Sequence, residues 1–322
     1  MFVAEGQTVY ETRVHAAARA PGKKYWPRIA ASRYMYVLIL PGFLYFAVFK
    51  YLPMWGLLIA FQNYNPFAGI SGSEWVGFMH FTDLFRDPHF YVMLRNTLCI
   101  NLINLIFYFP VPVILAVMLN EVKNGWFKKW NQSIVYMPHF LSWVVVASMT
   151  FFVLSTDVGF VNKLMISLGM ESHSFLSDPR LFWGILTVQN IWKEAGWGTI
   201  IFLAAVAGVD PQRYEAAVVD GASRMRQIWH ITLPAIRPTI VILLILRLGH
   251  MADVGFEQVL LMMNPLVNEV ADVFDTYVYN QGILRGDISL GTAVGMFKGI
   301  VGLVLVLASN YTVKKMGHEG IY

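Results

Sequence analysis

The chain has 322 residues, of which 57% are apolar and only 14% charged, against about 25% charged in soluble globular proteins. So little charge cannot cover a water-facing surface of this size, which excludes a soluble enzyme and a disordered chain and turns the apolar excess toward lipid. The single cysteine, Cys99, excludes an internal disulfide and any multi-cysteine metal cluster.

Residues 1–33 are polar and basic, with no short apolar core followed by a small-residue cleavage site, so the first apolar stretch is expected to be retained. Six stretches reach the roughly 20 apolar residues that a spanning helix needs: 34–61, 96–119, 134–154, 181–207, 238–262 and 289–312. Pro138 interrupts the third and charge interrupts the fifth. The fold expected is all-α, a polytopic membrane protein with about six transmembrane helices over 34–312. A basic tail, 1–33, and a short tail, 313–322, flank it.

Topology follows from Lys and Arg placement. Segments 1–33, 120–133, 208–237 and 313–322 carry 15 of the 24 Lys and Arg residues, whereas 62–95, 155–180 and 263–288 carry five. The other four, Lys50, Lys193, Arg247 and Lys298, lie within spans. This asymmetry places both termini in the cytoplasm. The net charge of +4 divides into +8 cytoplasmic, −5 external and +1 within the spans, so it is no nucleic-acid signature.

No catalytic motif is present. A phosphate-cradling G-x-x-x-x-G-K-[ST] fails at Gly22-Lys23, because Ala17 and Lys24 occupy two of its fixed positions. H-E-x-x-H and G-x-S-x-G are absent, and the eight histidines are scattered singly, so no metal site is expected.

Charges within spans cost roughly 2.5–3.5 kcal/mol each and face protein or water. The fourth stretch carries Trp192, Lys193, Glu194, Gly196, Trp197 and Gly198. The rings suit stacking on sugar faces and Lys193 suits a carboxylate; alternatively the tryptophans anchor the helix and the glycines form a flexible point.

The loop 208–237 is distinctive. Asp210-Pro211 starts a short helix, Gly221 breaks it, and Ser223 caps a second one that Pro234 is expected to stop before Pro238 opens the fifth span. Two helices hinged at glycine make an elbow, or else a plain amphipathic connector.

In the fifth span a 100° rotation per residue puts Arg247, His250, Asp253 and Glu257 within one 120° arc. Such a stripe lines a translocation cavity or fastens helices together. In the sixth, Gly291, Gly295 and Gly299 form a small-residue packing seam, with Lys298 beside it to snorkel or to pair with a carboxylate of the fifth span.

Glu215-Ala216-Ala217, three residues ending in Asp220, Gly221, nine residues and Ile231-Thr232-Leu233-Pro234 together resemble the cytoplasmic signature of binding-protein-dependent ABC importer permeases. Further likeness to the sugar-importing branch comes from Leu40-Pro41-Gly42, Tyr51-Leu52-Pro53, Phe61-Gln62-Asn63-Tyr64-Asn65-Pro66-Phe67 and Arg95-Asn96-Thr97. Met137-Pro138-His139-Phe140, Asn264-Pro265-Leu266-Val267 and Glu319-Gly320-Ile321-Tyr322 extend it. The resemblance implies a type I importer permease fold in the bacterial cytoplasmic membrane and no catalytic activity. It also implies no cofactor on this chain, with ATP and Mg on two partner ATPase subunits that dock on the elbow. A second permease subunit and a periplasmic or surface sugar-binding protein complete the expected assembly, and no nucleic acid is involved. The branch handles oligosaccharides from polysaccharide breakdown, and the likeness is to permeases for alginate, with neutral or pectin-derived oligosaccharides the alternative. The in-span charges, four bases against three acids, do not by themselves select an anion. Two other classes remain: an ion-coupled secondary transporter relaying protons through Asp253 and Glu257, and a polytopic enzyme using them as acid and base.

Overall fold

In a computed structural model the structure describes residues 32–317 and 320–321. They fall into two compact units, divided between Gly56 and Leu57. The described part of the first is the start of helix α1 (Arg33–Phe61), and the tail 1–33 lies almost wholly outside the described residues. In the second unit, Gln62–Asn63 and Glu74–Trp75 pair as a two-residue antiparallel ribbon, and all else is helix and connection.

Six further long elements follow. They are α2 (Pro88–Glu121), α3 (Gly125–Phe140), α4 (Trp143–Leu154), α5 (Pro179–Ala207), then, after the short α6 (Pro211–Val219), α7 (Arg224–Gly249) and α8 (Ile288–Lys315). Four of these, α1, α2, α7 and α8, are long and apolar enough to cross a membrane. As Pro138 implies, the third stretch is broken: α3 and α4 meet at 99°, and Ser142 caps the new helix. The fourth stretch is the 29-residue α5, long enough to span but less apolar; it packs partly against protein and leaves Val188, Trp192, Trp197 and Ile201 exposed.

Prolines bend these helices without ending them. Pro53, Pro110 and Pro234 each follow a π turn by two residues: Ala47–Tyr51, Asn104–Tyr108 and Ile228–Thr232. Widening the preceding turn moves the carbonyl that the pyrrolidine ring would strike and absorbs its missing N–H. The expected stop at Pro234 is therefore corrected: the second elbow helix runs on through Pro234 and Pro238 as α7.

The fifth span ends earlier than expected. α7 stops at Gly249, residues 250–255 are irregular, and Gly255 (φ +62°) opens a separate short helix, Phe256–Met262. The 100° rotation therefore does not carry past Gly249, and Arg247, His250, Asp253 and Glu257 form no helical stripe. Irregular backbone at membrane depth needs internal partners. Here side-chain amides supply them. Asn101 Nδ2 donates to the carbonyls of Met251 and Asp253, both at 3.0 Å; Asn96 Nδ2 donates to those of Glu269 and Asp272. Gln258 reaches the Leu186 carbonyl, and the Trp183 indole reaches that of Val270. Apolar burial fixes the same segment: Val254, Val259, Val267 and Val273 pack with Ile100, Phe182 and Leu186, each such side chain worth about 1.5–3 kcal/mol.

Helix α5 is held by close approach. A Cβ on Gly196 would run into the Val135 carbonyl of α3, and one on Gly198 would lie 3.1 Å from Pro112 of α2. These glycines are contact points inside a continuous helix, not a flexible point. Gly196→Ala should therefore lower stability by about 1–3 kcal/mol or more, read as a drop in the melting temperature of the purified protein. An unchanged melt would show that the two helices can separate freely. Asp178 caps α5, its carboxylate held below the ordinary range first by the Arg180 N–H and also by His173.

The glycine seam of α8 is only partly a seam. Gly291 meets Gly282, but Gly295 and Gly299 face open space. They line a cavity of about 410 Å³ with Asp253 and Lys298. The contact with α7 is made instead by Gly302, against the Gly249 carbonyl.

Candidate functional site

The elbow is built by local rules. Asp210 accepts the Gln212 N–H at 2.9 Å, Pro211 takes the first helical position, and α6 closes at Asp220. Gly221 follows at φ +73°. The Gly221 N–H bonds to the Val218 carbonyl and the Ala222 N–H to that of Ala217, a left-handed cap that reverses the chain. Ser223 then caps α7. Tyr214 hydrogen-bonds Thr232 at 3.0 Å across the elbow, and Arg224 meets Glu121 of α2 at 2.8 Å. Glu215, Ala216, Val218 and Val219 are exposed on α6, as are Met225 and Trp229 on α7, whereas Ala217, Ile231 and Leu233 are half-buried and Pro234 is exposed. Val219 is 86% exposed and Trp229 63%. A capped helix carrying bare apolar side chains beside a short acidic side chain is a surface shaped for a protein partner.

A second cluster lies halfway along the bundle. The Lys193 ammonium, only 6% exposed, donates to Glu194 Oε1 at 2.7 Å and to the His139 carbonyl at 3.1 Å, and sits 5.1 Å from the Trp143 ring centroid. His139 Nδ1 meets Glu194 Oε2 at 2.7 Å, and its ring stacks on Trp197 with centroids 4.5 Å apart. Arg247 lies over Tyr108, 5.7 Å to its centroid, and Tyr108 is within electrostatic reach of both Arg247 and Glu194. Asn190 and Asn104 hydrogen-bond each other at 3.1 Å, one turn toward the start of α5. Lys193, Glu194, Trp197 and Arg247 thus come together as a mixed aromatic and charged surface. Trp192 does not join them: it points to the other side of α5, into an apolar groove of about 600 Å³ against α4.

The remaining charges gather elsewhere. Lys298 bridges Asp253, at 2.5 Å, and Asp275, while His250 lies 3.5 Å from Asp253. Lys298 so pairs with a carboxylate, but one in the irregular segment beyond α7. Glu257 sits in the first turn of Phe256–Met262, with no ion pair among the described residues. No group of His, Cys, Asp and Glu among the described residues is arranged to hold a metal.

The amino-acid sequence shows Tyr108, Trp143, Asn190 and Asp275 only as ordinary residues. His139 stands out just as part of the Met137–Phe140 likeness. Their roles depend on the 99° bend between α3 and α4, which carries His139 and Trp143 to the face of α5 that bears Glu194.

Residues 91–317 match the family described as binding-protein-dependent transport system inner membrane component. The chain belongs to this family. It is 52% identical over 301 residues to the protein LplB of Bacillus subtilis (strain 168), covering 94% of this chain and 95% of the relative. It is also 52% identical over 295 residues to the polygalacturonan/rhamnogalacturonan transport system permease protein YteP of the same organism, covering 92% of each. Among solved structures, a chain of the bacterial alginate ABC transporter in complex with an alginate pentasaccharide-bound periplasmic protein superposes with a TM-score of 0.84. Identity is 40%, and coverage is 93% of this chain and 100% of that one. This permease is thus a non-catalytic, multi-pass inner-membrane component of a sugar ABC importer, and the all-α type I permease fold is the one expected. The secondary-transporter and membrane-enzyme classes drop away.

Proposed function

We propose that this permease imports acidic, uronate-bearing oligosaccharides, of the pectin type or from alginate. The observation that carries this is Arg247: a half-buried guanidinium at membrane depth, facing Tyr108, with no carboxylate partner among the described residues. Leaving such a charge unpaired is costly, and the planar fork suits a carboxylate bidentately. Trp197 and His139 offer ring faces for sugars nearby, and Lys193 and Glu194 are already committed to each other. Two of the three similar proteins support the same class, YteP by the polyuronide in its name and the solved transporter by alginate.

The assembly follows from the family. A second permease subunit completes the pathway. Two ATPase subunits, carrying ATP and Mg, dock on the elbow from Glu215 to Pro234. An extracytoplasmic binding protein delivers the sugar on the opposite side, both termini are cytoplasmic, and transport runs by alternating access.

The test is ATPase stimulation of the assembled complex by its binding protein loaded with oligogalacturonate, alginate oligosaccharide or a neutral oligosaccharide. Acidic ligands should stimulate, and Arg247→Leu should abolish most of that stimulation. Equal stimulation by a neutral ligand, undiminished in Arg247→Leu, would remove the assignment to acidic sugars.

A further inference from the structure

A second polar cavity lies far from the Glu194 cluster. It holds about 390 Å³, within the range of small-ligand sites, and its walls are His89, Asp272, Tyr277, Asn280, Gln281 and Arg285. Its place across the membrane can be read from α2: Glu121 at one end of that helix meets the elbow residue Arg224, and His89 is in the first turn at the other. Thirty-four helical residues separate those ends, about 50 Å, so the cavity opens on the face opposite the elbow.

The walls are pre-set. Asp272 is fixed by His89 through Oδ2 at 2.6 Å and by the Thr276 hydroxyl through Oδ1. Arg285 is steadied by Gln281 at 3.0 Å, which leaves the rest of its fork open. One wall is a π turn, Val278–Leu284, a geometry frequent at functional sites. Tyr277 is the informative residue. It is 95% buried in the cluster of Leu84, Phe90, Phe274 and Val294, in electrostatic reach of Asp272 and Arg285, and its hydroxyl has no protein partner among the described residues. The Asn280 amide is also without one. The cavity thus presents one hydroxyl and one amide that no described protein group engages, open to whatever enters it.

We propose that this cavity is an outer subsite that takes one glycosyl unit of the incoming oligosaccharide. Asp272, Asn280 and the Tyr277 hydroxyl bind its ring hydroxyls, and Arg285 meets its carboxylate. The chemistry fits a polyol acid: the wall holds both acceptors and donors, and the exposed His89 ring offers a face to the sugar. The subsite rests on the sugar-permease reading above and gives the oligosaccharide a first station ahead of the Glu194 cluster.

The experiment uses the full complex in proteoliposomes, with trigalacturonate and its neutral counterpart galactotriose as probes. Tyr277→Phe keeps the ring and deletes only the unpartnered hydroxyl. If the hydroxyl served packing alone, its loss would be neutral. As a ligand contact, its loss should raise the half-saturating trigalacturonate concentration for uptake about fivefold, the effect of one lost hydrogen bond. Asn280→Ala should do the same, and trigalacturonate should slow hydrogen exchange over 277–285 in the unmutated complex. Both variants within twofold of the unmutated complex, with no exchange protection, would overturn the subsite. Stronger protection by galactotriose would overturn the Arg285 role. A complex that responds to no oligosaccharide would instead sink the sugar-permease reading on which the subsite stands.

Discussion

Replacing Gly221 by valine should reduce oligosaccharide uptake and binding-protein-stimulated ATPase more than tenfold while leaving the helices inserted. The backbone there is left-handed, at φ +73°, and no atom crowds the position, so the obstacle is conformational. A non-glycine residue pays roughly 1–2 kcal/mol in that region, and a β-branched side chain pays more. The obvious relief for the chain is closed off: moving Gly221 to negative φ breaks its hydrogen bond to Val218 and that of Ala222 to Ala217, so α6 loses its cap and its angle to α7. Nothing in the bundle interior depends on these bonds, so insertion and yield should hold. Gly221→Asn, which tolerates this backbone, should retain most activity. Wild-type stimulation in Gly221→Val would mean that the elbow does not carry closure of the ATPases to the membrane.

Glu194→Ala should destabilise the protein by about 3–5 kcal/mol, because it leaves the Lys193 ammonium buried with no counter-charge. Only the His139 carbonyl and the Trp143 ring face would remain to it. The double variant Lys193→Met, Glu194→Gln removes both charges and should recover most of that loss. Melting temperatures of the single and double variants decide the matter. A single variant that melts within a degree or two of the unmutated protein would show that water already reaches Lys193.

Much of the fold is legible in the amino-acid order, and the failures have physical causes. The first, fourth and sixth stretches match their helices to within three residues because lipid and core alike demand apolar length, whereas the fifth helix lies about 13 residues earlier in the chain than expected. The elbow is legible because capping and glycine chemistry act over four or five residues: Asp210, Pro211, Gly221 and Ser223 are where local rules put them. Pro234 misleads because its effect depends on the turn before it, and a π turn has no composition of its own. The segment 250–287 is the least legible. Its conformation is decided by Asn96 and Asn101, 150 or more residues earlier in the chain, and no periodicity announces a carbonyl held by a distant amide. The same holds for the site: Lys193, Glu194 and Trp197 announce themselves as charges and rings in an apolar run, whereas Tyr108 and His139 matter only through packing.

The continuity of α7 makes the elbow a lever. Between Leu233 and Gly249 there are 17 helical residues, about 25 Å of rod, with the elbow at one end and the amide-held irregular segment at the other. A tilt of about 10° at the cytoplasmic end displaces the far end by about 4 Å, more than the length of a hydrogen bond. Arg247 rides on that far end and Tyr108 does not. A small rotation imposed by a partner is thereby converted into a change in which groups the guanidinium can reach, with no rearrangement inside the helix itself.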